Sequence, residues 1–366
     1  MITINRKSFS EELALLLPAV GKFNVIPALT CVLLDFNGER LRMTATDLNI
    51  TLQTEISATG DPYTYALPLK QLSSLVKLFD GEDVTLTEKP NSRVDVRCGQ
   101  SKHLLVATSA TEFPESDPVV GSTATIAAPL LTSMLKAASI STLPDNGVVK
   151  AADQMFTGVQ MSIGNGKLQL QASRKTTLAV AECPLEAPKM SAIIPPQAVN
   201  ALMSFDKGEI SFGATENFAT FCNGDRSITA RLLMGKFPDW SGVLPKFKST
   251  LTVNSAALAD AVRRAMLTTD VTNWERFEGL KFTFQSDSLR VESRGGDRGK
   301  SDESITATST LNGDKIEFGV NGSQWLDFLK LGESVSCELP EKPAVVRLKP
   351  AGLDFDFYYV VCGVNL

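Results

Sequence analysis

Three stretches decide the fold: YALPLKQLSSLVKLFDGEDVTLT (Tyr65 to Thr87), AIIPPQAVNALMSFDKGEISFG (Ala192 to Gly213) and EFGVNGSQWLDFLKLGESVSCEL (Glu317 to Leu339). Each reads as a strand, a short turn, an amphipathic helix, a Gly-Glu pair and a second strand. The glycines of those pairs are Gly81, Gly208 and Gly332, at intervals of 127 and 124 residues. A fixed period of this size marks internal duplication.

Working outward, a second unit opens each third of the chain. ITINRKSFSEELALLL, TIAAPLLTSMLKAAS and LTVNSAALADAVRRAML each place a strand before a helix, with Ile4, Ile126 and Val253 in the strands. A third element, strand then turn, recurs as LRMTATDLNITL, LQLQASRKTTLAV and LRVESRGGDRGKSDESI, starting at Leu41, Leu168 and Leu289. Two Phe-Pro connectors, TEFPESDPVVGST and GKFPDWSGVLPK, set Phe113 and Phe237 just before the next opening strand. The spacing predicts three homologous domains, residues 1–122, 123–249 and 250–366, each α+β with two helices on antiparallel sheet.

With 43% hydrophobic and 21% charged residues in 366, the composition is globular. No stretch approaches the about 18 apolar residues of a membrane span, and the N-terminus reads as a strand rather than a secretion signal. The expectation is a cytoplasmic protein with no membrane association. Six scattered cysteines without a C-x-x-C pair and a single histidine, His103, leave no material for a zinc site or a histidine-activated nucleophile. No catalytic residue, metal or cofactor is expected. Asp47, Asp239 and Asp297 lie in loops without an accompanying base or phosphate loop, and turn roles explain them better.

Projecting each helix at 100° per residue separates a core stripe from its basic residues. Leu72, Leu75, Val76 and Phe79 oppose Lys70 and Lys77. Leu131, Met134, Leu135 and Ala138 oppose Lys136. Leu258, Ala261, Val262 and Ala265 oppose Arg263, and Trp325, Phe328 and Leu329 oppose Lys330. In four helices the basic residue falls five positions after a core residue. In a chain of net charge -5, that agreement favours a sparse basic surface, suited to touching phosphates without reading bases.

The chain resembles the bacterial DNA polymerase III beta subunit, the sliding clamp. The marks are IPALTCVLLDF and LRMTATDLNI in the first third, KFPDWSGVLPK at the second boundary, RRAMLTTD with FEGLKF in the last third, and the apolar end YYVVCGVNL. The resemblance spans essentially the whole chain. It implies a head-to-tail homodimeric ring of clamp domains with helices lining a hole for double-stranded DNA. Lys70, Lys77, Lys136, Arg263 and Lys330 would face that DNA, and His103 and Leu105 would pack on the partner's counterparts of Met266 and Leu267. It also implies a groove for short linear peptides of polymerase subunits, the clamp loader and repair proteins. That groove would use Phe156, Ser173, Thr176, Thr177, Leu178, Pro238, Val243, Gln324, Val346, Val360, Val361, Cys362, Gly363, Val364 and Leu366.

The chain departs from the family pattern at the groove. The family usually ends in Met-Pro-Met-Arg-Leu after the two valines, where this chain has Cys362 to Leu366. SRKTTL replaces the familiar Thr-Asp-Gly-His-Arg-Leu, Gln324 stands for a tyrosine, and Gly242 stands for an arginine. Smaller walls imply weaker binding of a standard peptide, with Pro at 363 and Met at 362 expected to restore part of it. The alternative reading is a second-copy or specialised clamp with a different partner set or resistance to a groove-directed inhibitor.

Overall fold

The computed structural model describes residues 1–20, 26–114, 119–145, 148–240, 242, 244–269, 279–294, 299–311, 315–341 and 344–364. Among them are six α-helices: α1 (Arg6–Leu16), α2 (Leu69–Leu78), α3 (Ala128–Ser139), α4 (Pro196–Leu202), α5 (Ser255–Met266) and α6 (Gly322–Leu329). All other regular structure is antiparallel strand and short 3-10 turns.

The repeat is written into the hydrogen bonds. Ile4 pairs with Val84, Ile126 with Ile210 and Val253 with Val335, joining each opening strand to the strand that follows the Gly-Glu pair. The first N–H of α1, α3 and α5 donates to a carbonyl at that same pair: Arg6 to Glu82 at 2.8 Å, Ala128 to Gly208 at 2.9 Å and Ser255 to Glu333 at 2.9 Å. A helix start has N–H groups without intrahelical partners, so a neighbouring turn that supplies a carbonyl fixes where the helix begins. Asparagine caps do the same work at α1, α5 and α6, where Asn5, Asn254 and Asn321 accept from backbone N–H groups at 2.9 to 3.2 Å.

By compactness the chain forms two units rather than thirds: Met1–Thr132 with Ala187–Leu233, and Ser133–Glu186 with Met234–Leu366. The reason is sheet continuity. In the first unit Ile50–Ser57 pairs with Arg226–Arg231, within an eight-stranded sheet. In the second, Thr177–Pro184 pairs with Asp356–Cys362. These ladders join residues of different sequence thirds, so contacts and duplication divide the chain differently.

The first unit also holds a five-stranded sheet, in the order Thr59–Gly60, Ile2–Asn5, Asp83–Lys89, Arg93–Cys98, Ser101–Val106. There α1 packs on α2, with Phe9, Leu13, Leu16, Leu72 and Val76 fully buried. Each such side chain contributes roughly 1.5–3 kcal/mol relative to exposure. Leu75, expected in the core stripe, is half-buried, and Phe79 is buried just beyond the helix end. On α1, Glu12 is buried as well: Thr54 donates to it at 2.7 Å and Arg226 donates to it through Nε and Nη2. That pairing raises the Arg226 pKa further and satisfies a charge that would otherwise be costly to bury.

In the second unit α5 packs on α6. Trp325 of α6 lies edge-on to Phe282 at 4.7 Å, and Phe328 stacks on Tyr359 at 5.4 Å. The terminal strand Asp356–Cys362 runs between Thr177–Pro184 and Val345–Pro350, hydrogen-bonded on both sides. Phe357, Tyr359, Val360 and Val361 of this strand are buried, which accounts for its apolar sequence. All six cysteines are free thiols. No helix among the described residues is long and apolar enough to cross a membrane.

Candidate functional site

The turn Arg174–Thr176 links the strands Lys167–Ser173 and Thr177–Pro184. Its apex, Lys175, is left-handed, with φ +71°. The Ser173 hydroxyl holds it there, accepting from the Lys175 N–H at 3.2 Å and donating to the Thr177 carbonyl at 2.9 Å. The first repeat contains the same device 127 residues earlier. Leu48 has φ +73°, and Thr46 Oγ1 accepts from the Leu48 N–H at 3.1 Å and donates to the Ile50 carbonyl at 3.0 Å.

Beside the second turn lies a small apolar cavity of about 70 Å³. Its floor is one cross-strand pair, Leu178 opposite Val360, 4% and 5% exposed. Val345, Trp240 and Leu244 form walls packed on that pair. Ser173, Lys175, Thr176, Thr177 and Cys362 complete the lining. In the first unit the equivalent floor pair is Thr51 opposite Thr229. Both are buried, with Thr51 donating to Thr46 at 3.0 Å and Thr229 in a hydroxyl contact with Thr220 at 3.0 Å. A hydroxyl floor that satisfies itself offers an apolar ligand little, so the duplicated turn makes an apolar site in the second unit.

Of the residues expected in the groove, the structure gathers Ser173, Thr176, Thr177, Leu178, Val360 and Cys362 around this cavity. Val361 and Val346 are fully buried and do not line it. Alternate residues of a strand face opposite sides, so Val360 and Cys362 point to the cavity while Val361 points to the core, and Val345 takes the place expected of Val346. Phe156 is buried edge-to-face on Phe237 at 5.8 Å. Gln324 is buried and donates to Thr176 Oγ1 at 3.0 Å, tying α6 to the turn from behind the lining. Pro238 and Val364 are half-buried and Gly363 is exposed; none of them lines the cavity. Val243 and Leu366 lie outside the described residues, as does Asp297. Lys175, Trp240, Leu244 and Val345 line it without having been named. Val345 is selected by its register opposite Cys362, which the sequence does not show, and the connector that holds Trp240 and Leu244 was legible as a motif but has no period to show which side chains turn inward.

Proline at 363 is corrected by the geometry. A Cβ there would sit 2.8 Å from the ring of Phe318, itself buried, and the Gly363 N–H donates to the Ala344 carbonyl at 3.0 Å. Proline meets the first obstacle and loses the second interaction. Burial pushes the Cys362 thiol pKa up, so at neutral pH it behaves as a small apolar side chain.

The five basic residues are all exposed. Lys70 and Lys77 stand on α2 in the first unit, and Lys136, Arg263 and Lys330 belong to the second. They differ in pairing. Arg263 contacts Asp260 at 2.7 Å and Lys330 contacts Asp327 at 3.2 Å, each one turn back on the helix. No carboxylate among the described residues pairs with Lys70, Lys77 or Lys136. Asp47 fills a turn role, its Oδ1 accepting from the N–H groups of Asn49 and Ile50 at 2.9 and 3.0 Å.

The strand Ser101–Val106 is the outer strand of the five-stranded sheet. On it Leu104 and Val106 are 49% and 65% exposed, whereas Leu105 turns inward. His103 is exposed, its ring 5.7 Å from Phe79. Leu104, Leu105 and Val106 border an open concavity with Lys70, Gln71, Ser74 and Leu75 of α2. In the second unit Leu267, just past α5, is 77% exposed, and Met266 lies over Gly322. There the strand Lys300–Ser309 pairs with Ser288–Arg294 along one side but with Leu251–Val253 only through its last three residues on the other.

Two family models match, described as DNA polymerase III beta subunit, N-terminal domain, over residues 1–117, and DNA polymerase III beta subunit, C-terminal domain, over residues 242–361. The beta sliding clamp of Pseudomonas putida is 26% identical, covering 100% of this chain and 99% of its own length. That of Escherichia coli K12 is 23% identical over 98% of each. Crystal structures of the DNA polymerase III beta subunit from Pseudomonas aeruginosa and from Thermotoga maritima superpose with TM-scores of 0.89 at 22% and 19% identity, each covering at least 99% of both chains. A Pseudomonas aeruginosa sliding clamp bound to griselimycin superposes with a TM-score of 0.90.

Proposed function

The chain belongs to the DNA polymerase III beta subunit family, and on that premise we propose that it is a sliding clamp: a non-catalytic ring that encircles duplex DNA and tethers the replicative polymerase as a processivity factor. The observation that carries this reading is the full-length likeness to clamps, in sequence and in fold, of a chain whose strand–helix unit is built three times. The three domains are residues 1–122, 123–249 and 250–366, the divisions of the repeat rather than of compactness.

Two protomers close head to tail. This is supported by two unsatisfied features that a ring would cover: the outer strand Ser101–Val106 with exposed Leu104 and Val106, and the half-paired strand Lys300–Ser309 near exposed Leu267. An uncovered apolar strand edge invites uncontrolled association, and closure of a ring removes it. His103, Leu105, Met266 and Leu267 are placed at this interface.

DNA binding is independent of sequence. Lys70, Lys77, Lys136, Arg263 and Lys330 are exposed point charges on helices, suited to phosphates. The cavity floored by Leu178 and Val360 takes the apolar anchor of a short peptide from polymerase subunits, the clamp loader or repair proteins. Sedimentation mass, with and without nicked circular duplex DNA, tests the whole reading. A dimer that is retained on circles and lost when the circle is linearised is expected. A monomer, or retention unaffected by linearisation, would refute it.

A further inference from the structure

We propose that Lys175 makes this cavity selective for peptides that carry a carboxylate beside their apolar anchor; the inference rests on the peptide-groove reading. Among the described lining residues Lys175 alone is charged. The hydroxyls beside it have internal partners: Ser173 donates to the Thr177 carbonyl, Ser141 donates to Thr177 Oγ1 at 2.9 Å, and Gln324 donates to Thr176 Oγ1. The floor and walls are hydrocarbon and indole. The ammonium is therefore the group on this lining best placed to read a charge on a ligand.

Its placement is specific. Lys175 occupies a left-handed turn apex where glycine is the unstrained choice, and the Ser173 hydroxyl fixes the backbone from which the side chain leaves. One N–H contacts Asp153 at 2.8 Å, which leaves two of the three ammonium donors. The lysine side chain is 56% exposed and Asp153 is 22% exposed. Exposed ion pairs of this kind are weak, so a ligand carboxylate is able to share or take over the ammonium. Asp153 thus competes with the ligand's acid for the ammonium.

The test uses two fluorescent peptides with a Leu-Phe anchor flanked on both sides by glutamate or, in the second, by glutamine. They are titrated against the full-length protein and its Lys175→Gln, Asp153→Asn and Leu244→Asp variants, with thermal melting to check folding. The wild type should prefer the glutamate peptide by about three- to fivefold at low salt, the scale of one exposed charge pair. The preference should fade toward 0.5 M salt, where screening is strong. Lys175→Gln should bring the ratio to one, and Asp153→Asn should raise it by removing the competitor. Equal affinity for both peptides in the wild type, with Leu244→Asp abolishing both, would overturn the inference and leave the groove standing. A lower ratio in Asp153→Asn would overturn it too. No binding of either peptide, or binding indifferent to Leu244→Asp, would remove the groove reading and this inference with it.

Discussion

Neutralising Lys70, Lys77 and Lys136 together should change the salt dependence of DNA binding far more than neutralising Arg263 and Lys330. The first three have no carboxylate partner among the described residues, while the other two lie 2.7 and 3.2 Å from Asp260 and Asp327. A cation already paired with its own helix has fewer counterions to release on meeting a phosphate. In a two-protomer ring the free trio acts twice, so if every one contacts a phosphate its loss flattens the slope of log K against log salt by up to about 5. The paired duo should flatten it by less than about 2. The assay is retention of the ring on nicked circular duplex as salt is raised, for wild type, Lys70→Gln/Lys77→Gln/Lys136→Gln and Arg263→Gln/Lys330→Gln, with melting temperatures to confirm folding. Equal flattening by the two sets would show that helix-borne aspartates do not attenuate these cations. No flattening by the trio would refute the DNA-facing assignment.

Deleting Cys362 to Leu366 removes at least three backbone hydrogen bonds, from Cys362 to Thr176, Gly363 to Ala344 and Val364 to Gly319. The second unit should therefore lose about 2–4 kcal/mol in denaturant titration, besides losing peptide binding; an unchanged midpoint would contradict this. Gly363→Pro should likewise lower stability rather than refill the groove, and a gain in peptide affinity without that loss would show the Phe318 contact to be yielding. Leu267→Asp with Leu104→Asp should give a folded monomer, since both side chains are already exposed in the protomer; a dimer in sedimentation would place the interface elsewhere. Glu338 resists ionisation through burial, yet Lys349 and Arg347 outweigh this and hold its pKa below the usual value. Its stabilisation is then present above about pH 4.3, the unfolded value, and is lost as pH falls through the lower folded value. The stability gap between wild type and Glu338→Gln should close in acid, and a gap that widens would reverse the assignment.

Much of the fold was legible in residues that repeat. Ile4, Ile126 and Val253 marked strands whose pairing is equivalent in all three copies, because the apolar period and the Gly-Glu turn are local signals. Helix cores followed the 100° projection except at Leu75, which sits at the edge of its stripe. The ladders Ile50–Ser57 with Arg226–Arg231 and Thr177–Pro184 with Asp356–Cys362 were not legible. Alternation tells which face of a strand is covered but not which distant strand lies beside it. The site divided along the same line. Leu178 and Val360 came from motif matching, whereas the choice of Val345 over Val346 required the register, and Trp240 and Leu244 required the path of an aperiodic connector.

The terminal strand has a consequence for how the protein is made. The first unit holds all of its strands once Leu233 has been synthesised, so it is able to close while translation continues. In the second unit Thr177–Pro184 waits for Asp356–Cys362, a strand made far later in the sequence. Until that strand has been made, a run from Thr177 to Cys183 that is almost wholly buried once folded keeps one edge open. A nascent chain with an unpaired strand edge is prone to aggregation. Slow translation or premature termination between Pro184 and Asp356 should therefore be disproportionately harmful, because every chain halted there keeps that edge unpaired.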